Sequence, residues 1–229
     1  MENKVGNSEK YSFDLIEQID TPLKGKTLGA LGSSVTLGFA SLGYALGEYF
    51  TKRFGGKLIK SAVNGTTLCT LKERSYVERL QSDFDPHEHI DYFLVQLSTN
   101  DATKGMPLGE ISEGFENFDT TTTIGGMEFI ISYIRKTFDC PIFFYTGSYF
   151  EHEAYQKMVD ALFALKDKWN IEVLDMWHDE EFNSLPDDLR SIYMNDPVHP
   201  HKAGYRDWWG PFCEKQLLEA WTKYGEDKE

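Results

Sequence analysis

Cysteine is scarce in this 229-residue chain: Cys69, Cys140 and Cys213 are odd in number and widely spaced. They cannot form a disulfide scaffold and lack the paired spacing of a zinc site, so they read as buried thiols in a reducing compartment. Basic residues are also few, 23 against 37 acidic, for a formal net charge of −14. That balance disfavours long-range attraction to a phosphate backbone or an anionic membrane, and no nucleic-acid partner is expected. No stretch approaches the roughly 18 consecutive apolar residues of a membrane span, and the polar start MENKVGNSEKYSFD has no run like that of a signal peptide. The expectation is a cytoplasmic protein with no membrane span. A Gly-rich phosphate loop is missing as well, which counts against a flavodoxin-like nucleotide binder.

What is present suits one well-buried core, with 41% hydrophobic and 14% aromatic residues. The chain divides into an N-terminal arm (1–25), one domain (26–222) and a charged tail (223–229). Short β-branched or aromatic runs alternate with segments of helical periodicity, the pattern of a mainly parallel sheet with helices between its strands. The strand candidates are 27–31, 57–63, 92–97, 142–145 and 171–174. Leu42, Ala45, Leu46, Tyr49, Phe50 and Phe54 fall on one helical face, as do Met127, Ile130, Ile131 and Ile134. Met158, Ala161, Leu162 and Leu165 mark a further helix, and Tyr205, Trp208, Trp209 and Phe212 the last one. Right-handed connections then give a three-layer α/β/α sandwich around five strands.

Ligands of such sheets bind beyond the carboxyl ends of the strands, and there this sequence is polar. Gly32-Ser33-Ser34-Val35-Thr36 follows the first strand, Asn64-Gly65 the second and Ser98-Thr99-Asn100-Asp101 the third. Asp196-Pro197-Val198-His199-Pro200 precedes the last helix. A serine hydroxyl needs a base to take its proton, and the base works best when a carboxylate fixes its tautomer. Asp196 and His199 on one proline-stiffened loop meet that need for Ser34. The oxyanion of acyl transfer needs preorganised donors, offered by the Ser34 N–H, the Gly65 N–H and the Asn100 side-chain amide.

These blocks resemble the SGNH or GDSL esterases and lipases, whose pattern is Gly-Asp-Ser, then a Gly, then Gly-x-Asn-Asp, then Asp-x-x-His. The resemblance spans residues 26–221 and implies a serine hydrolase that cleaves carboxylic esters through an acyl-enzyme. The implied substrates are small-molecule or carbohydrate esters with short acyl groups, acetyl included, with no cofactor and no metal. Ser33 stands where the pattern has Asp, and Ser98 where it has Gly. A lysophospholipase or thioesterase of the same family is the nearest alternative, and a binding module that keeps the fold without turnover is another. Each block also has a plainer reading: a serine after a strand caps helices, Asn-Gly makes turns, and Asn-Asp caps the next segment. Asp175 is a second carboxylate available to the relay, and His87-Glu88-His89 has no third metal ligand in view.

Overall fold

The computed structural model describes residues 5–226. Five strands, β1 (Thr27–Gly32), β2 (Lys57–Ala62), β3 (Tyr92–Gln96), β4 (Ile142–Tyr145) and β5 (Glu172–Leu174), form one sheet in the order β2-β1-β3-β4-β5. Every pairing is parallel, with Leu28 in register with Leu58 on one side and Tyr92 on the other. The order reverses between β1 and β3, which leaves a crevice beyond their carboxyl ends, the position where open parallel sheets bind ligands.

Alternation along the strands sorts the core into two layers. Leu28, Tyr92, Leu94, Phe143 and Tyr145 face α2 (Leu46–Phe54) and α10 (Gly210–Glu226), packing with Phe50, Phe54, Trp209, Cys213 and Leu217. Leu31, Phe93, Val95 and Phe144 face the other way, against α3 (Tyr76–Ser82), α5 (Thr123–Phe138) and α6 (Glu153–Trp169). Both faces being covered explains why the strands read as nearly continuous apolar runs. Local chemistry sets the helix ends: Ser75 and Glu78 form a reciprocal capping box at α3, and Thr122 caps α5. Gly55, left-handed at φ 63°, ends α2.

One expectation needs adjustment. Leu42 is not on α2; it lies in the preceding loop with φ 61°, and it is exposed. The chain must turn there between Gly38 and Gly43, both also left-handed, so local backbone overrides apolar spacing. Residues 5–25 lie against the domain: three short 3₁₀ turns over 5–15 bury Tyr11 and Phe13, and a later turn buries Leu23. Asn7 ties this segment down, donating to the Ala40 carbonyl at 2.8 Å and accepting from the Lys202 N–H at 2.9 Å. Residues 1–4 of the arm and 227–229 of the expected tail lie outside the described residues. No helix among those described is long and apolar enough to cross a membrane. Cys69 and Cys213 are buried thiols, whereas Cys140 is only partly so.

A buried cation ties the working end of the sheet together. Arg79, on α3, is fully buried, and all its N–H groups find acceptors. Nη1 donates to the Ser61 carbonyl and hydroxyl at 2.8 and 2.7 Å, and Nη2 to the Gly32 carbonyl and Thr66 hydroxyl at 2.8 and 3.1 Å. Nε donates to the Arg74 carbonyl at 2.9 Å. The guanidinium thus joins the ends of β1 and β2 to the turn that follows β2. Removing it takes a donor from the buried Ser61 and Gly32 carbonyls, of which Gly32 keeps the Val63 N–H at 3.3 Å, and from the Ser61 and Thr66 hydroxyls, each bond being worth about 0.5–1.5 kcal/mol. Arg79→Met is therefore expected to destabilise the fold by about 3 kcal/mol, measured by urea denaturation; a change below about 1 kcal/mol would contradict this account.

Candidate active site

Ser33 holds the N-cap position of the short helix α1 (Ser34–Leu37) without a side-chain capping bond, so Ser34 is its first residue and the Ser34 N–H is not consumed by the helix. Ser34 is 3% exposed. Its Oγ lies 2.8 Å from His199 Nε2. The other imidazole nitrogen, Nδ1, lies 2.9 Å from both carboxylate oxygens of Asp196. That places the Nδ1 proton toward the carboxylate and leaves Nε2 to accept from the serine.

The Asp196–Pro200 loop positions this pair by its own backbone. Asp196 Oδ1 accepts from the Val198 and His199 N–H groups, each at 2.9 Å, and Oδ2 accepts from the Asn195 amide at 2.8 Å. Burial is the largest single influence on the Asp196 carboxyl and pushes its pKa up. The hydrogen bonds from His199, Val198 and Asn195 together outweigh it and hold the carboxyl well below the usual carboxylate range. Asp196 is therefore a charged acceptor at any pH where imidazole chemistry operates.

Gly65 sits in the turn after β2 with φ 75°, a conformation that favours glycine. A Cβ there would meet only Lys104 Nζ, at 3.6 Å, so this side of the turn is open. Asn100 lies on α4 (Thr99–Thr103), which Ser98 caps by accepting from the Asn100 N–H at 3.2 Å. Asn100 Nδ2 donates one hydrogen to the Thr66 carbonyl at 3.0 Å, leaving its second amide hydrogen available. Through Thr66, the Gly65 turn is joined both to Asn100 and, by Arg79, to the Gly32 carbonyl beside the Ser34 turn. The residues named from the sequence thus converge at the carboxyl ends of β1, β2 and β3.

The rival groups go elsewhere. Asp175 pairs with His178 at 2.9 Å and has no bond to His199. His89 lies 3.4 Å from Asp91, and His201 is buried with Nδ1 donating to the Ile192 carbonyl at 2.9 Å. Among the described residues, no group of three His, Cys, Asp or Glu side chains is placed to hold a metal ion.

Three contributors escaped the sequence reading. Arg79 has the look of an ordinary surface charge on a helix. Phe39 places its ring 5.6 Å from the His199 imidazole, tilted by 59°, although it is 42% exposed. Gln96, the last residue of β3, accepts from the Ser33–Thr36 turn: the Ser33 N–H at 2.9 Å, the Thr36 N–H at 3.2 Å, and the Thr36 and Ser33 hydroxyls at 2.9 and 3.3 Å. A glutamine closing the run Tyr-Phe-Leu-Val was the only available signal.

A parallel α/β/α sandwich places a serine, an imidazole and a carboxylate in line beyond its central strands, the constellation that nucleophilic acyl transfer requires. Residues 30–206 match the GDSL-like Lipase/Acylhydrolase family, and the chain belongs to it, a family of hydrolases. No curated protein matches the sequence significantly. Solved structures share the fold at low identity. A Lactobacillus plantarum protein is 16% identical with a TM-score of 0.70, over 85% of this chain and 97% of that one. A family two carbohydrate esterase from Clostridium thermocellum, solved in complex with cellohexaose, is 13% identical with a TM-score of 0.62, over 90% of this chain and 67% of that one. An acetyl xylan esterase is 15% identical with a TM-score of 0.61, over 84% of this chain and all (100%) of that one.

Proposed function

We propose that the protein hydrolyses carboxylic esters of short acyl groups through an acyl-enzyme on Ser34. The observation that carries this reading is the line Ser34 Oγ, His199 Nε2, His199 Nδ1, Asp196, with links of 2.8 and 2.9 Å. His199 takes the Ser34 proton as Oγ attacks the ester carbonyl, and Asp196 stabilises the imidazolium that forms. The Ser34 N–H, the Gly65 N–H and the free hydrogen of the Asn100 amide receive the oxyanion. His199 then gives its proton to the leaving alcohol, and afterwards activates the water that releases the acid.

Two cavities adjoin the relay, neither of them lined by Ser34, Gly65, Asn100 or His199. Val35, Thr99 and Val198, the immediate neighbours of Ser34, Asn100 and His199, line a mainly apolar cavity with Phe150 and Pro197. Its free volume is about 10 Å³. That is room for about one water or a methyl group. A second cavity of about 520 Å³ lies beside Asp196 and is lined by Tyr149, Phe150, Asp187 and Arg190 among others. Its size suits a small-molecule alcohol, a sugar included, and Tyr149 offers an exposed ring face. The carbohydrate-ester names of two structural neighbours favour the same class of leaving group.

A fluorophosphonate probe is expected to modify the wild-type protein on the peptide that contains Ser34; modification elsewhere, or none, sinks the nucleophile. Across 4-nitrophenyl esters and matched thioesters from acetyl to octanoyl, kcat/KM is expected to be highest for the acetyl oxyester. It should fall at least about tenfold by octanoyl, since a pocket short by several methylenes discriminates by about 1–3 kcal/mol. A maximum at octanoyl or with thioesters transfers the reading to a lysophospholipase or thioesterase.

A further inference from the structure

The residue before the nucleophile departs from the Gly-Asp-Ser pattern, and the buried neighbourhood of that residue shows what fills the gap. Ser33 is fully buried and its side chain cannot accept on the scale of a carboxylate. Yet the turn Ser33–Thr36 presents four donors inward: two backbone N–H groups and two hydroxyls. A single oxygen, Gln96 Oε1, receives all four. It arrives from β3, the strand paired with β1 on the side away from β2.

We infer that Gln96 is the positioning residue for the nucleophile, supplying from the neighbouring strand, and without charge, the acceptor that holds the Ser34 turn. The inference rests on Ser34 being the nucleophile. The orientation of the amide is fixed by chemistry: the Ser33 and Thr36 N–H groups only donate, so the atom they face must be the oxygen. Gln96 Nε2, meanwhile, is buried with no hydrogen-bond partner among the described residues. The fold leaves a donor unpaired on one side of this amide in order to place the acceptor on the other. Thr36 relays the restraint outward, since its Oγ1 also lies 2.7 Å from the Tyr145 hydroxyl on β4. The turn is thus fixed to three adjacent strands.

Gly32 is part of the same arrangement. A Cβ at that position would lie 2.9 Å from Gln96 Oε1 and would overlap the Thr36 hydroxyl. The glycine that opens the motif therefore makes room first for the Thr36 side chain and, beside it, for the glutamine oxygen. An aspartate at position 33 would direct a second acceptor at that oxygen, because the Ser33 Oγ is already only 3.3 Å from it. Turning the amide over would pair the aspartate, but it would point an NH₂ group at two backbone N–H groups. Restoring the commoner family residue is thus harmful in this chain, an outcome that a space-filling role for Gln96 does not produce.

The test compares Gln96→Met, which keeps volume and removes the acceptor, with Gln96→Glu, which keeps the acceptor and replaces the unpaired NH₂ by a second oxygen that carries charge when ionised. Readouts are the rate of fluorophosphonate labelling at Ser34 and the separate kcat and KM for 4-nitrophenyl acetate. Gln96→Met is expected to lower kcat and the labelling rate about 100-fold with KM within about twofold, the cost of misplacing a reacting atom by about 1 Å. Gln96→Glu is expected to stay within about tenfold of wild type. A Met variant equal to wild type, or better than the Glu variant, overturns the inference. Should Gln96→Met not fold, the Ser33 pair decides: Ser33→Ala is expected within about threefold of wild type and Ser33→Asp at least about tenfold below it. An unimpaired Ser33→Asp overturns the inference. Wild-type protein that does not label at Ser34 sinks the functional reading and this inference together; a labelled wild type with the reversed ranking sinks this inference alone.

Discussion

Ser34→Ala is expected to lower kcat for 4-nitrophenyl acetate on the order of a millionfold, while the protein remains folded. The size of the loss follows from the geometry. His199 Nε2 has the Ser34 hydroxyl 2.8 Å away, and no second hydroxyl is bonded to it among the described residues. Without that oxygen no acyl-enzyme forms, and only oxyanion stabilisation and substrate binding remain, together worth roughly 10³–10⁴ over water. Stability is expected to change little, because the one hydrogen bond of Ser34 Oγ is to His199 and alanine suits the start of a helix. Steady-state kinetics with a parallel melting curve checks both halves. A variant that keeps more than a hundredth of wild-type kcat removes Ser34 from the chemistry.

The second large effect is at the carboxylate. Asp196→Asn is expected to reduce kcat about 10⁴-fold. The Val198 and His199 N–H groups will continue to claim the side-chain oxygen, which leaves the new NH₂ group facing His199 Nδ1. Nδ1 must then accept, the ring proton moves to Nε2, and the base can no longer take a proton from Ser34. A loss smaller than about tenfold would mean that Asp196 only props up its loop. The same site has a pH signature in stability. The Asp196 pKa is held below its ordinary value in the fold, so its contribution is fully present above the unfolded carboxyl value of about 4 and is lost as pH falls through the folded value. The stability difference between wild type and Asp196→Asn, measured by urea denaturation, should therefore be constant above about pH 5 and shrink on acidification below about pH 4. A difference that grows on acidification contradicts the low folded pKa.

The carboxylate and imidazole were legible in the sequence because their geometry is local: three residues apart, on a loop closed by its own backbone hydrogen bonds. Strand β4 was legible to the residue, since four large apolar side chains lie between a proline and a polar turn. Helix α8 (Asp187–Tyr193) left no trace, for it buries none of its residues and so has no apolar stripe to write into the sequence. Leu42 misled in the opposite sense, an apolar residue at the right spacing that the backbone turns outward. Gln96 and Arg79 were invisible for a different reason. Each acts on residues dozens of positions away, across a strand pairing or a helix-to-sheet contact that no local window contains. What the family pattern writes into adjacent positions, this chain has moved to a neighbouring strand.

The distance along the chain between the two reacting groups has a consequence for when activity first exists. Ser34 and His199 are 165 residues apart, and Tyr205 Oη, which donates to the Val35 carbonyl at 2.7 Å, is later still. At roughly 5–20 residues per second of synthesis, about 8–33 s pass between the ribosome adding the serine and adding its base. On the proposed mechanism, a nascent chain carries Ser34 throughout that interval without the base that would take its proton. Hydrolysis on that mechanism begins only once His199 has been added and has packed against Ser34.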